Sequence, residues 1–185
     1  MIEDVLADAR SRMEKAMEAL QRELVAVRTG RASPSLVERL QVAQYGTEMP
    51  LNQLANIAAP EARMLTITPW DKSSLGAIEK AIRKSELGLN PTNDGSMIRI
   101  TIPPLTEERR KQMVKLVHGK VEEAKIAVRN IRRDAIAQAK EFKDEKMISE
   151  DDERRAETQI QEITNKFTAR ADEIGKDKER EVMQV

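Results

Sequence analysis

Basic side chains are concentrated in one part of a long segment of this sequence. Nine Lys or Arg residues stand against four Glu between Thr106 and Arg133, whereas eight acidic residues stand against four basic ones between Glu141 and Glu157. Over the whole chain 32 Lys and Arg balance 32 Asp and Glu, so a basic surface can arise only by segregation. Guanidinium groups match phosphate oxygens in charge and geometry. The pattern therefore indicates either a phosphate-binding surface or the solvated face of a long helix.

The candidate phosphate-binding residues form three groups along the chain. The side chains around Arg129 occupy neighbouring helical positions, away from the apolar Val128 and Ile131. The groups are Lys125, Arg129, Arg132 and Arg133; Arg109, Arg110 and Lys111; and Arg28 and Arg31. Because only four residues of the chain are aromatic, base stacking is not expected. Such a surface would contact the nucleic-acid backbone rather than read its sequence.

Signatures of catalytic and metal sites are absent from the sequence. There is no Cys, which excludes thiol nucleophiles and thiolate metal sites, and there is no phosphate-binding loop, dinucleotide-binding fingerprint or nucleophile elbow. We interpret His118, the single histidine, as a surface residue, and the acidic run 150–153 as a solvated helix start rather than a cation site. A hydrolase that uses carboxylate pairs is disfavoured, because nothing gathers the acids around a pocket. The sequence therefore predicts a protein that is not an enzyme and has no cofactor and no metal.

Three segments carry apolar residues at the spacing of an amphipathic helix. The stripes run through residues 2–27, 113–142 and 156–174, with steps of three and four. Ser149, followed by acidic residues, predicts the start of the third helix. Three helices that each bury one stripe predict a three-helix bundle. The middle helix, predicted from Thr106 to Met147, would extend roughly 60 Å, so the bundle should be elongated.

The section between the first and second helices has a different composition. All seven prolines lie between Pro34 and Pro104, and five of the seven glycines lie between Gly30 and Gly95. Short stretches at 36–44, 51–59, 64–68 and 97–102 are typical of strands, with turns at Tyr45-Gly46 and Asn93-Asp94-Gly95. Asp71 is a candidate cap for a short helix. The predicted fold class is α+β, with a small α/β domain of one sheet and one short helix inserted into the bundle.

The predicted domains are a discontinuous bundle, residues 1–30 and 105–185, and an insert, residues 31–104. The chain crosses between them twice, and we expect both crossings to be extended because residues before proline avoid the helical region. Two crossings allow a hinge but restrict its directions. The predicted hinge residues are Gly30, Arg31, Ala32, Ser33, Pro34, Pro103, Pro104 and Leu105.

The N-terminus carries acidic and periodic polar residues rather than a basic stretch followed by an apolar run. It is therefore not interpreted as a secretory signal. No stretch approaches the ~20 consecutive apolar residues that cross a bilayer. We expect a soluble, cytoplasmic protein that does not interact with membranes.

Seven motifs spread over the whole chain resemble those of the ribosome recycling factor family, in the same order. They are Arg28-Thr-Gly-Arg-Ala-Ser-Pro-Ser, Pro50-Leu-Asn-Gln-Leu-Ala, Pro69-Trp-Asp-Lys-Ser, Leu87-Gly-Leu-Asn-Pro-Thr-Asn-Asp-Gly, Pro103-Pro-Leu-Thr-Glu-Glu-Arg-Arg, Val128-Arg-Asn-Ile-Arg-Arg-Asp and Ile148-Ser-Glu-Asp-Asp. The resemblance implies an L-shaped molecule in which a hinge joins the bundle to the insert. It implies that the protein binds the large ribosomal subunit after termination and, with elongation factor G and GTP, promotes separation of the subunits.

The resemblance also implies roles for individual residues and partners. It implies that Arg132, with Arg129 and Arg133, binds large-subunit RNA, that Arg28, Arg31 and Arg110 contribute near the junction, and that the insert meets elongation factor G. Lys125 joins the RNA-binding set because it lies one turn before Arg129. We expect a monomer that does not bind DNA.

Two positions depart from the family pattern. Gln44 stands where members commonly have Tyr, and Gly175 stands inside the last helix where a larger aliphatic residue is usual. A glycine inside a helix is expected to weaken it by up to about 1 kcal/mol relative to alanine. The alternative function is a helical adaptor or chaperone cofactor whose charged faces serve only solubility.

Overall fold

The computed structural model describes residues 1–184, and the chain divides into two compact units. One unit contains Met1–Thr29 together with the chain from Glu107 onward, and the other contains Gly30–Thr106. The helices are α1 (Ile2–Val25), α2 (Leu75–Lys84), α3 (Glu107–Asp144) and α4 (Glu150–Met183). Helices α1, α3 and α4 form the first unit, and α2 belongs to the second.

The first unit is a bundle of three helices that bury their apolar stripes against one another. Met13, Met17, Leu20, Val117, Val128 and Ile160 are among its most deeply buried side chains. Helix α3 has 38 residues, which correspond to about 57 Å. The predicted elongated bundle of long helices is therefore confirmed.

The turn between α3 and α4 has a defined geometry at both helix ends. Helix α3 ends at Asp144, three residues before the predicted Met147, because Lys146 adopts a left-handed φ of 62° and Met147 N–H donates to the Phe142 carbonyl at 2.8 Å. Ser149 then accepts a hydrogen bond from Asp152 N–H, and the Asp152 carboxylate accepts one from Ser149 N–H. This capping box confirms the predicted start of the last helix.

Gly175 lies where α4 packs against α3, and the structure corrects the expectation about it. A Cβ atom built on Gly175 would lie 2.5 Å from Val121 Cγ2, closer than atoms in contact can approach. The glycine therefore permits the two helices to meet at this level. The low helix propensity of glycine is offset by the close packing of α4 against Val121, which the Cβ of alanine would prevent.

The second unit contains two antiparallel sheets and one short helix. Its strands are β1 (Gln41–Gln44), β2 (Thr47–Pro50), β3 (Ala55–Glu61), β4 (Met64–Pro69), β5 (Pro91–Asn93) and β6 (Ile98–Thr101). β1 and β2 form a hairpin, and the other four strands form a sheet of order β3-β4-β6-β5. The core of this unit includes Leu65, Ile67, Ile98 and Ile100 from the sheet together with Ile78 and Ile82 from α2.

Both predicted turns in this unit join strands. Tyr45 and Gly46 have φ values of 54° and 78°, as a two-residue hairpin turn requires, and they connect Gln44 to its partner Thr47. In the turn between β5 and β6, Asp94 accepts hydrogen bonds from the backbone N–H groups of Met97 and Ser96, which lower the pKa of Asp94 to about 2.

Several predicted strand bounds in this unit are wrong. The predicted strand 36–44 begins only at Gln41, because Leu36 lies in the 3-10 turn Pro34–Leu36, and the predicted strand 51–59 begins only at Ala55, because Leu51–Gln53 form a second 3-10 turn. Strand β2 was not predicted, and neither was β5. Proline at the start of β5 is compatible with a strand because β5 lies at the edge of its sheet. Asp71 caps the 3-10 turn Lys72–Ser74 that leads into α2, rather than α2 itself.

Among residues 1–184, no helix is both long enough and apolar enough to cross a membrane.

Candidate nucleic-acid interface

A groove of about 310 Å³ runs between α3 and α4 of the bundle. Lys125, Arg129 and Arg132 form its α3 wall, because steps of four and three residues place them on one helix face. Its α4 wall is Gln161, Thr164, Asn165, Thr168 and Asp172. We name this feature the α3–α4 groove. Three predicted RNA-binding residues thus meet a wall composed mainly of neutral polar side chains.

Arg132 is held in the groove by a neutral side chain of α4. Its Nη1 donates a hydrogen bond of 2.9 Å to Gln161 Oε1 on α4. Gln161 Nε2 in turn donates to Asn165 Oδ1 at 2.8 Å. Arg132 Nε is buried and has no hydrogen-bond acceptor within the described part of the chain. The guanidinium is therefore anchored by a neutral group and keeps its full positive charge.

Arg129 and Arg133 are exposed on the same side of α3. Within residues 1–184, neither side chain forms an ion pair or a hydrogen bond. Arg129 lines the groove, while Arg133 lies on α3 outside the groove lining. A guanidinium that has no carboxylate partner can accept a phosphate without first breaking an internal ion pair.

Lys125 differs from the three arginines because carboxylates surround it. Its Nζ lies 3.0 Å from Asp172 Oδ1 and 3.6 Å from Glu122 Oε1, and its side chain is only 17% exposed. These contacts offset its charge and restrict its movement. The groove therefore has an arginine end and an end where positive and negative charges balance.

The remaining predicted RNA-binding residues lie outside the α3–α4 groove. Arg28 is exposed in the first unit, after the end of α1, and Arg110 is half-buried in the first turn of α3. Arg31 is exposed and belongs to the second unit. In the neighbouring basic group, Arg109 donates to Gln112 at 2.8 Å and Lys111 pairs with Glu107 at 3.6 Å.

Each of the two predicted hinge segments is tied to the second unit by a backbone hydrogen bond at or beside it. Ala32 N–H donates to the Ala62 carbonyl at 2.7 Å, and Ile102 N–H donates to the Arg63 carbonyl at 2.7 Å. The first crossing is extended at Ser33, as expected before Pro34, but it turns at Gly30, whose φ is 75°. A Cβ on Gly30 would lie 3.3 Å from the backbone nitrogen of Leu105. In the second crossing the exposed Pro103 and Pro104 lie between Ile102, which is hydrogen-bonded to Arg63, and Leu105, which packs near Gly30.

Two further sequence features, His118 and the acidic run 150–153, lie outside the α3–α4 groove. His118 is exposed, and its Nε2 lies 3.2 Å from Glu179 Oε2 on α4. The acidic run 150–153 forms the first turn of α4, where it faces the positive end of the helix dipole. No group of three His, Cys, Asp or Glu side chains within residues 1–184 is arranged to hold a metal ion.

Sequence reasoning missed the α4 wall of the groove. Gln161, Asn165 and Asp172 are ordinary polar residues between the apolar positions of α4, and no local motif distinguishes them. The 3.6-residue period places Gln161, Asn165 and Thr168 on one face of α4. That signal could have suggested a shared surface, but only the pairing of α3 with α4 shows which arginines they meet.

Comparisons with known proteins agree over the whole chain. A family model described as "Ribosome recycling factor" matches residues 20–183. The ribosome-recycling factor of Thermomicrobium roseum is 58% identical over 185 residues, and that of Bacillus licheniformis is 53% identical, each with full coverage of both chains. A solution structure of a ribosome recycling factor superimposes with a TM-score of 0.77 at 43% identity, covering 100% of this chain and 98% of the other.

A second solved structure gives the context of one such relative. It contains the ribosome recycling factor of T. thermophilus and the elongation factor G of E. coli bound to the E. coli post-termination complex. The chain is 47% identical to the matched protein, with a TM-score of 0.66 and full coverage of both chains.

Proposed function

This chain belongs to the ribosome recycling factor family, and on that premise we propose that it binds the large ribosomal subunit after termination and, with elongation factor G and GTP, promotes separation of the subunits. The proposed role is non-catalytic: the protein acts as a monomer in the cytoplasm, without a cofactor, and GTP is hydrolysed by its partner. The full-length similarity supports this proposal, as does the post-termination complex in which the T. thermophilus relative is found.

One structural observation supports a contact with ribosomal RNA. Arg129, Arg132 and Arg133 lie within five residues on α3, and none of them has a carboxylate partner among residues 1–184. Uncompensated charges on one face attract the phosphate backbone, which carries closely spaced negative charges. We propose that Arg132, Arg129 and Arg133 form the main RNA contact, that Arg28, Arg31 and Arg110 form a secondary one, and that Lys125 contributes least.

The alternative adaptor function makes a different prediction about binding. An adaptor whose charges serve solubility would not bind isolated large subunits in a salt-dependent way. A phosphate-binding protein loses affinity linearly with the logarithm of salt concentration, because binding releases counterions.

The test is co-sedimentation with purified large subunits over a series of salt concentrations, followed by a subunit-splitting assay. We expect binding that weakens steeply with salt, and splitting only when elongation factor G and GTP are both present. Salt-independent binding, or no binding at any salt concentration, would favour the adaptor. Binding without splitting would leave the RNA contact standing and refute the proposed outcome.

We also propose that the bundle is an autonomous folding unit. Its apolar stripes pack against one another within Met1–Thr29 and the chain from Glu107 onward. Replacing residues 31–104 by a short Gly-Ser linker should leave a helical, monomeric protein with a cooperative melting transition. A molten or aggregated product would show that the insert completes the bundle core.

The crossings are proposed to act as a hinge that splitting requires. Gly30 is the sensitive position, because its φ of 75° is unfavourable for other residues and a Cβ would crowd the Leu105 nitrogen at 3.3 Å. Gly30→Ala should retain subunit binding and lose much of the splitting rate. Gly88→Ala is the matched control, because Gly88 has a φ of 66° but an added Cβ would meet no atom within 4 Å. Equal splitting by the two variants would argue against the hinge.

A further inference from the structure

The α4 wall opposite Arg132 carries two side-chain amides bonded in series. Gln161 Oε1 accepts from Arg132 Nη1 at 2.9 Å, and Gln161 Nε2 donates to Asn165 Oδ1 at 2.8 Å. Gln161 and Asn165 are four residues apart, so they lie one turn apart on one face of α4. We propose that Gln161, held by Asn165, is a positioning residue that orients the Arg132 guanidinium for an RNA phosphate. This inference rests on the proposed function.

A neutral acceptor is what such a role requires. A carboxylate at position 161 would orient Arg132 equally well, but it would also neutralise its charge, as Asp172 does for Lys125 at 3.0 Å. An amide oxygen fixes the direction of the guanidinium and adds no negative charge. Arg132 therefore keeps its attraction for phosphate while its side chain is held in place.

Arg132 determines which end of the Gln161 amide faces it, because a guanidinium only donates hydrogen bonds. An amide turned end for end would place its NH₂ group against the guanidinium, and two donors cannot bond each other. With Oε1 facing Arg132, Gln161 Nε2 is directed to Asn165 and donates to its Oδ1, which holds the amide in that orientation. The chain of two hydrogen bonds thus selects one amide orientation and one guanidinium position.

Positioning before binding has an energetic consequence. An arginine side chain has many rotamers, and ordering them opposes association. The bond to Gln161 restricts Arg132 in the free protein while it occupies only one of the donors on the two Nη atoms, so the other Nη donors stay available for phosphate oxygens.

The test compares Gln161→Met with Arg132→Ala in large-subunit binding across a salt series. Methionine preserves the length of the side chain and removes the acceptor. We expect Gln161→Met to weaken binding about threefold to tenfold, the range for loss of one hydrogen bond, with an unchanged slope against log salt concentration. Arg132→Ala should reduce that slope, because a charge is removed. Gln159→Met is the matched control on an exposed position of α4 and should bind as the wild type does.

Two further variants distinguish positioning from direct contact. Gln161→Glu keeps the acceptor but adds a charge, so it should keep the Arg132 guanidinium NMR signals ordered while the salt slope decreases. In the Arg132→Ala background, Gln161→Met should have no further effect on binding. An additive loss in that background would show that Gln161 contacts RNA itself, and the inference would be wrong.

The outcomes separate this inference from the function on which it rests. Normal binding by Gln161→Met together with weakened binding by Arg132→Ala would overturn the positioning role alone. Normal binding with an unchanged slope in both variants would overturn the RNA contact and the positioning role together. Equal melting temperatures for all variants would show that neither result arises from unfolding.

Discussion

The contact of α1 with its neighbouring helices and the α3–α4 groove use arginine in opposite ways. Arg170 on α4 donates from both Nη atoms to the Glu14 carboxylate on α1, at 2.6 and 2.8 Å, and Arg12 on α1 donates to Asp134 on α3 at 3.0 Å. In the groove, by contrast, Arg132 is bonded to a neutral amide and Arg129 has no partner within residues 1–184. The same side chain joins helices in one region and stays available for binding in the other.

The difference lies in the partner rather than in the arginine. A carboxylate consumes both the hydrogen-bond geometry and the charge of a guanidinium. At the α1 contact this effect is visible in Glu14, whose pKa is lowered mainly by its hydrogen bond from Arg170. A count of basic residues cannot distinguish the two uses, since 32 basic and 32 acidic residues balance over the chain.

The largest expected effect is on large-subunit binding, when the arginines without carboxylate partners are removed. The triple change Arg129→Ala, Arg132→Ala and Arg133→Ala should weaken large-subunit binding by about a thousandfold or more, because each charge-assisted bond to phosphate contributes about tenfold or more. The log–log salt slope should decrease by roughly 0.7 to 0.9 for each phosphate that the variant no longer neutralises. The melting temperature should change little, since Arg129 and Arg133 are exposed and the half-buried Arg132 forms one hydrogen bond to a neutral group.

The paired arginines are the matched control for that prediction. The double change Arg12→Ala and Arg170→Ala should lower the melting temperature and leave binding and its salt slope unchanged. If both proteins bound equally weakly, net charge would matter and the distinction between paired and unpaired arginines would fail.

A second effect concerns how closely α3 and α4 approach. Gly175→Ala should destabilise the bundle by about 1–3 kcal/mol, the usual range for overpacking, because its Cβ would lie 2.5 Å from Val121 Cγ2. Gly119→Ala on α3 is the control. An added Cβ there meets no atom within 4 Å, so alanine should stabilise by up to about 1 kcal/mol. Chemical denaturation measures both.

A compensating change checks the cause of the Gly175 effect. Val121→Ala removes the methyl group that the new Cβ would strike, so it should recover part of the stability of Gly175→Ala. Equal gains in stability from alanine at Gly175 and Gly119 would mean that helix propensity alone governs both sites.

The groove itself offers a smaller contrast between Lys125 and its arginine neighbours. Because Asp172 and Glu122 already offset its charge, Lys125→Ala should reduce the salt slope less than Arg129→Ala does. Asp172→Asn should strengthen RNA binding, by less than about fivefold, because it removes a negative charge from the groove and releases the lysine. Weaker binding by Asp172→Asn would show that the Lys125–Asp172 pair helps to shape the site.

The smallest expected effect is a pH dependence of stability that arises from Glu14, the carboxylate partner of Arg170. Hydrogen bonding to Arg170 lowers the pKa of Glu14 below its ordinary value of 4.5. Between the folded and unfolded pKa values the unfolded chain binds more protons, so stability rises with pH. The contribution is therefore fully present at neutral pH and is lost as the pH falls below about 4.5 and through the folded pKa.

Glu14→Gln should accordingly be less stable than the wild type at pH 7, and the two melting temperatures should converge in acid. Glu157→Gln, at an exposed position of α4, is the matched control for the loss of one carboxylate. A difference between wild type and Glu14→Gln that persists unchanged to pH 3 would contradict the lowered pKa.

Much of the fold could be predicted because its signals are local. The apolar periods of residues 2–27, 113–142 and 156–174 correspond to helices α1, α3 and α4, and the capping residue Ser149 lies where α4 begins. Tyr45-Gly46 forms the turn between β1 and β2. The strand bounds were less predictable, because the apolar residues Leu36 and Leu51, which fit a strand pattern in the sequence, lie in the 3-10 turns Pro34–Leu36 and Leu51–Gln53.

The sequence by itself determined the family, the helix stripes and the segregation of basic residues along α3. Only the tertiary structure decided which of these cations are neutralised, because Lys125 and Asp172 lie 47 residues apart and Arg170 and Glu14 lie 156 apart. The register of packed helices sets such pairs, and no local pattern encodes it. Gly175 follows the same rule: helix propensity describes it as a weak point, whereas the proximity of Val121 makes it the residue that lets two helices meet.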